Sequence, residues 1–217
     1  MTHESHRWEE YYQKVQGRAP RPLLIDVLDR FAEEPSPSAR KAIDLGCGDG
    51  SLLRFLRDTR DVRGYGVEID DANVLACFSN GVNVIQSDLE SGLLSFESDS
   101  FDYVVLSQTL QAVKNTEYIV REMLRVSKEG IVSFPNFGYW KNRLQVFSGH
   151  MPVSEALPYQ WFDTPNIHNC TLGDFEEFCG QHGARILERR VMSGNRQITV
   201  MPNLLGMLAF YRFEQQK

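Results

Sequence analysis

The chain has 217 residues, and 23 Lys and Arg against 29 Asp and Glu leave a formal charge of −6. That length suits one domain with a substantial core, and the acidic balance argues against a sequence-independent nucleic-acid binder. The start lacks the apolar core of a signal peptide, no run approaches the roughly 18 apolar residues of a membrane span, and Cys47, Cys77, Cys170 and Cys179 have neither metal nor disulfide spacing. The expectation is a soluble cytoplasmic protein with no metal site.

Residues 5–17 carry Trp8, Tyr11, Tyr12 and Val15 at helical steps, and residues 21–34 repeat the pattern through Leu23, Leu24, Val27, Leu28 and Phe31 before PSPSAR breaks it. Short β-like runs follow: KAIDL, GYGVEI, VNVIQSD, FDYVVLS and GIVSFP, separated by segments with helical character around Leu52, Ala72 and Glu117. The third and fourth runs are joined by LESGLLSFESDS, too short for a regular crossover helix. Such alternation predicts βαβ units and a parallel sheet. From Pro135 the chain turns aromatic and proline-rich without a clean period, which reads as a lid or a surface insertion. A helix capped by Thr171, a strand ARILERRVM, a Gly-Asn turn and a last strand LAFYRFEQ close the chain, the two strands pairing antiparallel at an edge.

KAIDLGCGDGSLLRFL is the most informative stretch. A strand that ends in a glycine turn and opens a helix sets backbone N–H groups and a positive helix terminus beside a ligand. Gly46, Gly48 and Gly50 miss the dinucleotide fingerprint G-x-G-x-x-G by one residue, Ser51 standing where its last glycine would fall. Asp44 and Asp49 decide the ligand's charge: a pyrophosphate 5 Å from either would meet repulsion of about 3 kcal/mol at an effective dielectric of 20. S-adenosylmethionine, with a sulfonium, an ammonium and no phosphate, gains instead. Glu68 follows Gly46 by 22 residues, near the interval at which an acid accepts from ribose hydroxyls. Asp88 can accept from the adenine amino group, with Leu89 packing on the ring, or can simply cap a helix or turn. Cys47, inside the turn, reads as a small packing residue and not a nucleophile.

AIDLGCGDG, GVEID, QSDL and FDYVVLSQTLQ resemble the successive motifs of class I S-adenosylmethionine-dependent methyltransferases. VLSQTLQAV, GIVSFPNFGYW, MPVSEALPYQWFDTPNIH and CTLGDFEEFC extend a closer resemblance, to the MetW family of methionine biosynthesis, over most of the chain. The resemblance implies a Rossmann-like α/β fold, a mostly parallel sheet flanked by helices with an antiparallel C-terminal edge. It divides the chain into N-terminal helices (1–40), a cofactor core (41–135), a lid or partner-binding insertion (136–170) and a C-terminal helix and strands (171–217). It implies S-adenosylmethionine or S-adenosylhomocysteine as cofactor and the homoserine O-acyltransferase MetX as partner. It also puts Ser107 and the SQTLQ segment near the methyl end of the cofactor, with Gln108 and Gln111 orienting groups or capping the next helix.

The candidate cofactor residues are therefore Asp44, Gly46, Cys47, Gly48, Gly50, Glu68, Ile69, Asp88, Leu89 and Ser107. His150, Glu155, Tyr159, Asp163 and His168 are candidates for a base or an acceptor clamp. Phe137, Tyr139, Trp140 and Arg143 close a lid, face a partner or pack, while Trp8 or Tyr12 covers the cofactor or joins the core. Two functions are compatible with this pattern: a cofactor-binding companion of the acyltransferase, and an independent small-molecule methyltransferase.

Overall fold

The computed structural model describes residues 40–216; the two N-terminal helical patterns, with Trp8 and Tyr12, lie outside the described residues. An eight-stranded sheet organises the chain, in the order β3-β2-β1-β4-β5-β8-β6-β7. β1 (Lys41–Leu45), β2 (Arg63–Glu68), β3 (Asn83–Gln86), β4 (Phe101–Ser107) and β5 (Ser127–Pro135) are parallel. The first two crossovers are α1 (Ser51–Arg60) and α2 (Asp71–Ser79), and α3 (Thr116–Val126) leads into β5. The parallel sheet is the one that the alternating pattern predicts, and the mostly parallel, Rossmann-like α/β arrangement is the one that the resemblance implies.

Both faces of the sheet are covered, so its central strands need apolar side chains at consecutive positions. In β4, Val104 and Leu106 enter one core with Ile119 and Met123 of α3, whereas Val105 enters another with Leu52 and Leu56 of α1. β5 repeats the division: Val132 and Phe134 face the first core and Ile131 the second. The two-residue period of a strand produces this alternation.

The antiparallel part is more elaborate than a terminal pair. β8 (Leu208–Gln215) lies inside the sheet, paired antiparallel with both β5 and β6 (Ala184–Ser193). The Gly-Asn turn instead closes a hairpin from β6 to β7 (Arg196–Gln197), which forms the edge. Burial follows position, for Ala209, Phe210, Tyr211 and Phe213 of β8 are each at most 1% exposed. The helix α5 (Leu172–Gln181) starts with a capping box: Thr171 Oγ1 accepts from the Asp174 N–H, and Asp174 Oδ2 accepts from the Thr171 N–H. Phe175 of this helix packs on Phe134 and Tyr211, with ring centroids 5.0 and 4.7 Å apart.

Between β3 and β4 the chain makes only a single 3-10 turn, Leu89–Ser91. Arg125 of α3 does the work that a crossover helix does elsewhere. It donates to Leu93 O (3.0 Å) and Phe96 O (2.9 Å) while paired with Glu122, whose Oε2 accepts from the Leu93 N–H (3.2 Å). The hydrogen-bonded Arg125 guanidinium holds the Glu122 carboxyl below its ordinary value of 4.5, so this group stabilises the fold above that range and stops doing so as pH falls through its lowered value. Arg125→Leu is expected to cost about 2 kcal/mol at neutral pH, because a carboxylate and two carbonyls lose their donor. Urea denaturation should show the gap to wild type narrowing between pH 7 and pH 3; a gap independent of pH would contradict the linkage.

Candidate functional site

The parallel strands reverse their order between β1 and β4, since β1 leads to β2 on one side while β4 and β5 lie on the other. Open α/β sheets bind ligands in the crevice at the carboxyl end of such a switch. The glycine turn stands there. Gly46, Gly48 and Gly50 have φ of 70°, 55° and 72°, in the left-handed region where a Cβ is disfavoured. N–H groups of Gly46 and Cys47 both donate to Val67 O, at 2.8 and 3.1 Å, which folds the turn across the end of β2.

Glu68 completes the anchorage. Its Oε2 accepts from the Gly48 N–H at 2.8 Å, and its Oε1 accepts from the N–H groups of Ile69 (2.9 Å) and Asp70 (3.0 Å). Three of the roughly four acceptor positions of the carboxylate are thereby committed to the backbone. Burial raises the pKa of Glu68, against the opposing pull of the N–H groups of Asp70, Gly48 and Ile69. Asp44, 3% exposed, is a second buried carboxylate on the adjacent strand. Half-buried Asp49 caps the start of α1, its Oδ1 accepting from the Ser51 N–H at 3.1 Å.

Beneath the turn, Cys47 and Cys77 lie with their sulfurs 3.7 Å apart, and Cys77 Sγ donates to Gly48 O at 3.1 Å. Contact with Cys77, burial, and the charges of Asp44 and Glu68 push the Cys47 thiol far up, so it stays protonated. A packing role for its side chain fits this: a Cβ at Gly66 would collide with Cys47 Sγ. Cys77 and Asn80, both on or ending α2, are parts of this support that no sequence signal marked. Asn80 Nδ2 donates to Asp49 O at 2.8 Å, and its Oδ1 accepts from Arg54 at 2.7 Å.

The remaining candidates divide. Asp88 is exposed and its Oδ1 accepts from the Glu90 N–H at 2.9 Å, so it does cap the turn after β3, with one oxygen not engaged by that bond. Ile69 is 56% exposed beside Glu68, and Leu89 is half-buried. Ser107 Oγ lies 3.1 Å from Ser133 Oγ and so joins the ends of β4 and β5. Gln108 holds φ of 51°, its N–H donating to Ser133 O at 2.9 Å. Gln111 is buried and turns its amide back to Gln108 O (2.6 Å). Its own carbonyl accepts from the N–H groups of Ile167 and His168, at 2.8 and 2.9 Å, tying the aromatic segment to the sheet. His150 makes a local contact to Ser148 O (3.1 Å), His168 reaches Lys114 O (3.2 Å) across the chain, Tyr159 is buried, Asp163 is half-buried and Glu155 is exposed. Among the described residues no cluster of three or more His, Cys, Asp or Glu is placed to hold a metal, and no helix is long and apolar enough to cross a membrane.

Residues 31–213 match the family described as Methionine biosynthesis protein MetW. The chain belongs to the MetW family. It is 38% identical over 172 residues to the bifunctional methionine biosynthesis protein MetXA/MetW of Rhodopirellula baltica, a match covering 75% of this chain and 28% of that one. The chain spans less than half the length of the curated relatives it matches. Solved structures share the fold at low identity. A SAM-dependent methyltransferase from Archaeoglobus fulgidus superposes with a TM-score of 0.65 at 15% identity, over 96% of this chain and 99% of that one. Phosphoethanolamine N-methyltransferase 2 of Haemonchus contortus, in complex with S-adenosyl-L-methionine, gives 0.66 at 16% identity over 91% and 53%. This MetW-family chain therefore has the Rossmann-like methyltransferase fold.

Packing under the turn is testable apart from any ligand. Gly50→Ala places a Cβ 3.0 Å from Cys77 Sγ and 3.1 Å from Val82, at a φ of 72°. Gly149→Ala meets nothing within 4 Å at a φ of 85°. The second should cost about 1 kcal/mol, from the left-handed backbone alone, and the first about 2 kcal/mol or more with crowding added. Equal denaturation midpoints for the two variants would contradict a packed turn.

Proposed function

We propose that this MetW-family protein binds S-adenosylmethionine, or S-adenosylhomocysteine, at the Gly46–Gly50 turn and supports the homoserine O-acyltransferase step of methionine synthesis by direct association. The observation that carries the cofactor reading is a turn anchored to Val67 O and Glu68 at the switch between β1 and β4, beside buried Asp44. The structure-level fit is electrostatic and steric. Two buried carboxylates favour a cation, and glycines let a ligand approach the backbone. The remaining acceptor position of Glu68 suits a ribose hydroxyl. The oxygen of Asp88 not held by Glu90 suits the adenine amino group, with exposed Ile69 and half-buried Leu89 against the ring. Ser107 would lie toward the methyl end. When bound, the cofactor supplies a methyl group activated by a positive sulfur.

Support for the partner comes from the Rhodopirellula baltica relative, whose name joins MetXA and MetW in one chain. The joining of the two in one chain favours this over an independent methyltransferase. A link to pathway output would follow if the cofactor, itself made from methionine, bound the free and the partnered protein with different affinity.

Titration calorimetry of S-adenosylmethionine into the protein, alone and with the homoserine O-acyltransferase of the source organism, tests both parts. One cofactor site is expected in each case, and Asp44→Asn should weaken it about tenfold, or 1.4 kcal/mol. No heat at millimolar ligand in either sample would overturn the cofactor reading. Equal affinities in the two samples would remove the link to pathway output. Turnover of labelled cofactor with cell metabolites, in the absence of the acyltransferase, would favour the independent methyltransferase.

A further inference from the structure

A helix at the surface of a folded protein ordinarily turns an apolar stripe inward and polar residues outward. α4 (Trp140–Phe147) does the reverse. Its one fully buried residue is Asn142, whose Nδ2 donates to Asn136 O at 3.2 Å and Phe137 O at 3.4 Å. Trp140, Leu144 and Phe147, at positions i, i+4 and i+7 and therefore on one face, are 40%, 56% and 92% exposed. Asn136 strengthens this polar attachment. Its Nδ2 donates to Asn203 O (3.0 Å) and Gly206 O (2.8 Å), and its Oδ1 accepts from the Gly138 N–H (2.9 Å). The helix is thus wired to the sheet by amides, which leaves its apolar face outward.

A second exposed apolar stretch lies on another side of the helix. Gln145 holds Val153 from both sides, Oε1 accepting from the Val153 N–H at 3.0 Å and Nε2 donating to Val153 O at 3.1 Å. Val153 and Met151 therefore run beside α4, and both are exposed. Trp140, Leu144 and Phe147 form a ridge that presents on the order of 400 Å² of apolar surface, at the level where exposed patches mark interaction sites. A standard interface takes roughly 800 Å² from each partner, so the ridge supplies the apolar centre and its polar surroundings the rim.

The charge of those surroundings narrows the occupant. Lys141 and Arg143 stand on α4 itself, in a chain of net charge −6, and along the sequence the nearest carboxylates to either side are Glu129 and exposed Glu155. Lys141 Nζ lies 5.8 Å from the centre of the Trp140 ring. A second copy seated ridge to ridge would bring these cations together. A partner with an apolar groove and an acidic rim would not.

We infer that the α4 ridge, Trp140, Leu144 and Phe147 flanked by Lys141 and Arg143, is the face that docks into the homoserine O-acyltransferase. This rests on the association put forward under the proposed function, and adds where it occurs and what chemistry the acyltransferase must present. The fused Rhodopirellula baltica relative supplies the choice of occupant, since two units joined in one chain are held within reach of a permanent contact.

The test measures binding of the full chain to the acyltransferase of the source organism by biolayer interferometry, for wild type, Leu144→Glu, Phe147→Asp, Phe147→Leu and Lys141→Glu. The first two variants should bind at least tenfold more weakly, and Phe147→Leu should bind within about threefold of wild type. Lys141→Glu should slow association, with the difference shrinking at high salt. All four should keep the wild-type melting temperature and affinity for S-adenosylhomocysteine, because these side chains are exposed and outside the glycine turn. Wild-type binding that Leu144→Glu and Phe147→Asp leave unchanged would overturn the ridge while leaving the association intact. Absence of wild-type binding would overturn the association itself and the ridge with it. If light scattering shows that the variants lose self-association while still binding the acyltransferase, the ridge pairs copies of this chain and the inference fails.

Discussion

One carboxylate, Glu68, accepts N–H groups from two stretches of backbone that are far apart in the chain: Gly48 in the turn after β1, and Ile69 and Asp70 at the start of the next connection. Because it is buried, losing any of these donors would leave a charge poorly compensated. The contact therefore fixes the glycine turn against the end of β2. Val67 O, accepting from Gly46 and Cys47, fixes it a second time. Position and φ of the glycines follow from this constraint, as does the need for small thiols beneath them. An ordered turn before ligand arrives lowers the entropy lost on binding.

The same logic of buried polar anchors governs the segments that follow β4 and β5. Gln111 O receives Ile167 and His168, Cys170 O receives Phe137, and Asn136 reaches Asn203 and Gly206. These bonds hold the segment after β5 without a large apolar core of its own. Several of its aromatic residues, apart from buried Tyr139 and Tyr159, are consequently available outside. Trp161 and Phe162, 71% and 67% exposed with rings 5.7 Å apart, show the same outward disposition as α4. The chain thus keeps its binding chemistry at the carboxyl ends of β1 and β2 and its exposed apolar surface after β5.

Much of this was legible in the sequence because it depends on local pattern. KAIDL and FDYVVLS coincide with β1 and β4 to the residue, and Thr171 caps α5 as its hydroxyl and position suggest. The glycine turn was legible because a strand, closely spaced glycines and a helical pattern follow one another in the sequence, whereas Glu68 was read as a ribose acceptor and its hold on three backbone N–H groups depends on contacts that the sequence does not show. Residues whose role comes from distant contacts were not legible. Cys77 and Asn80 read as ordinary residues near the end of a helix until Gly48 O and Asp49 O are placed beside them. α4 escaped because its apolar stripe faces outward around a buried Asn142 within a proline-rich, aromatic run. Gln111, read from the sequence as orienting groups or capping the next helix, turns its amide back to Gln108 O, a contact that the sequence does not show.

Backbone hydrogen exchange at Gly48 tests the central claim most directly. If Glu68 holds the turn before any ligand arrives, the Gly48 amide of the ligand-free protein should be protected to an extent comparable with neighbouring β1 amides. Glu68→Gln should lose that protection, and S-adenosylhomocysteine should extend protection across residues 44–51 in the wild type. Exchange of Gly48 at the rate of an open loop in the ligand-free wild type would contradict the account.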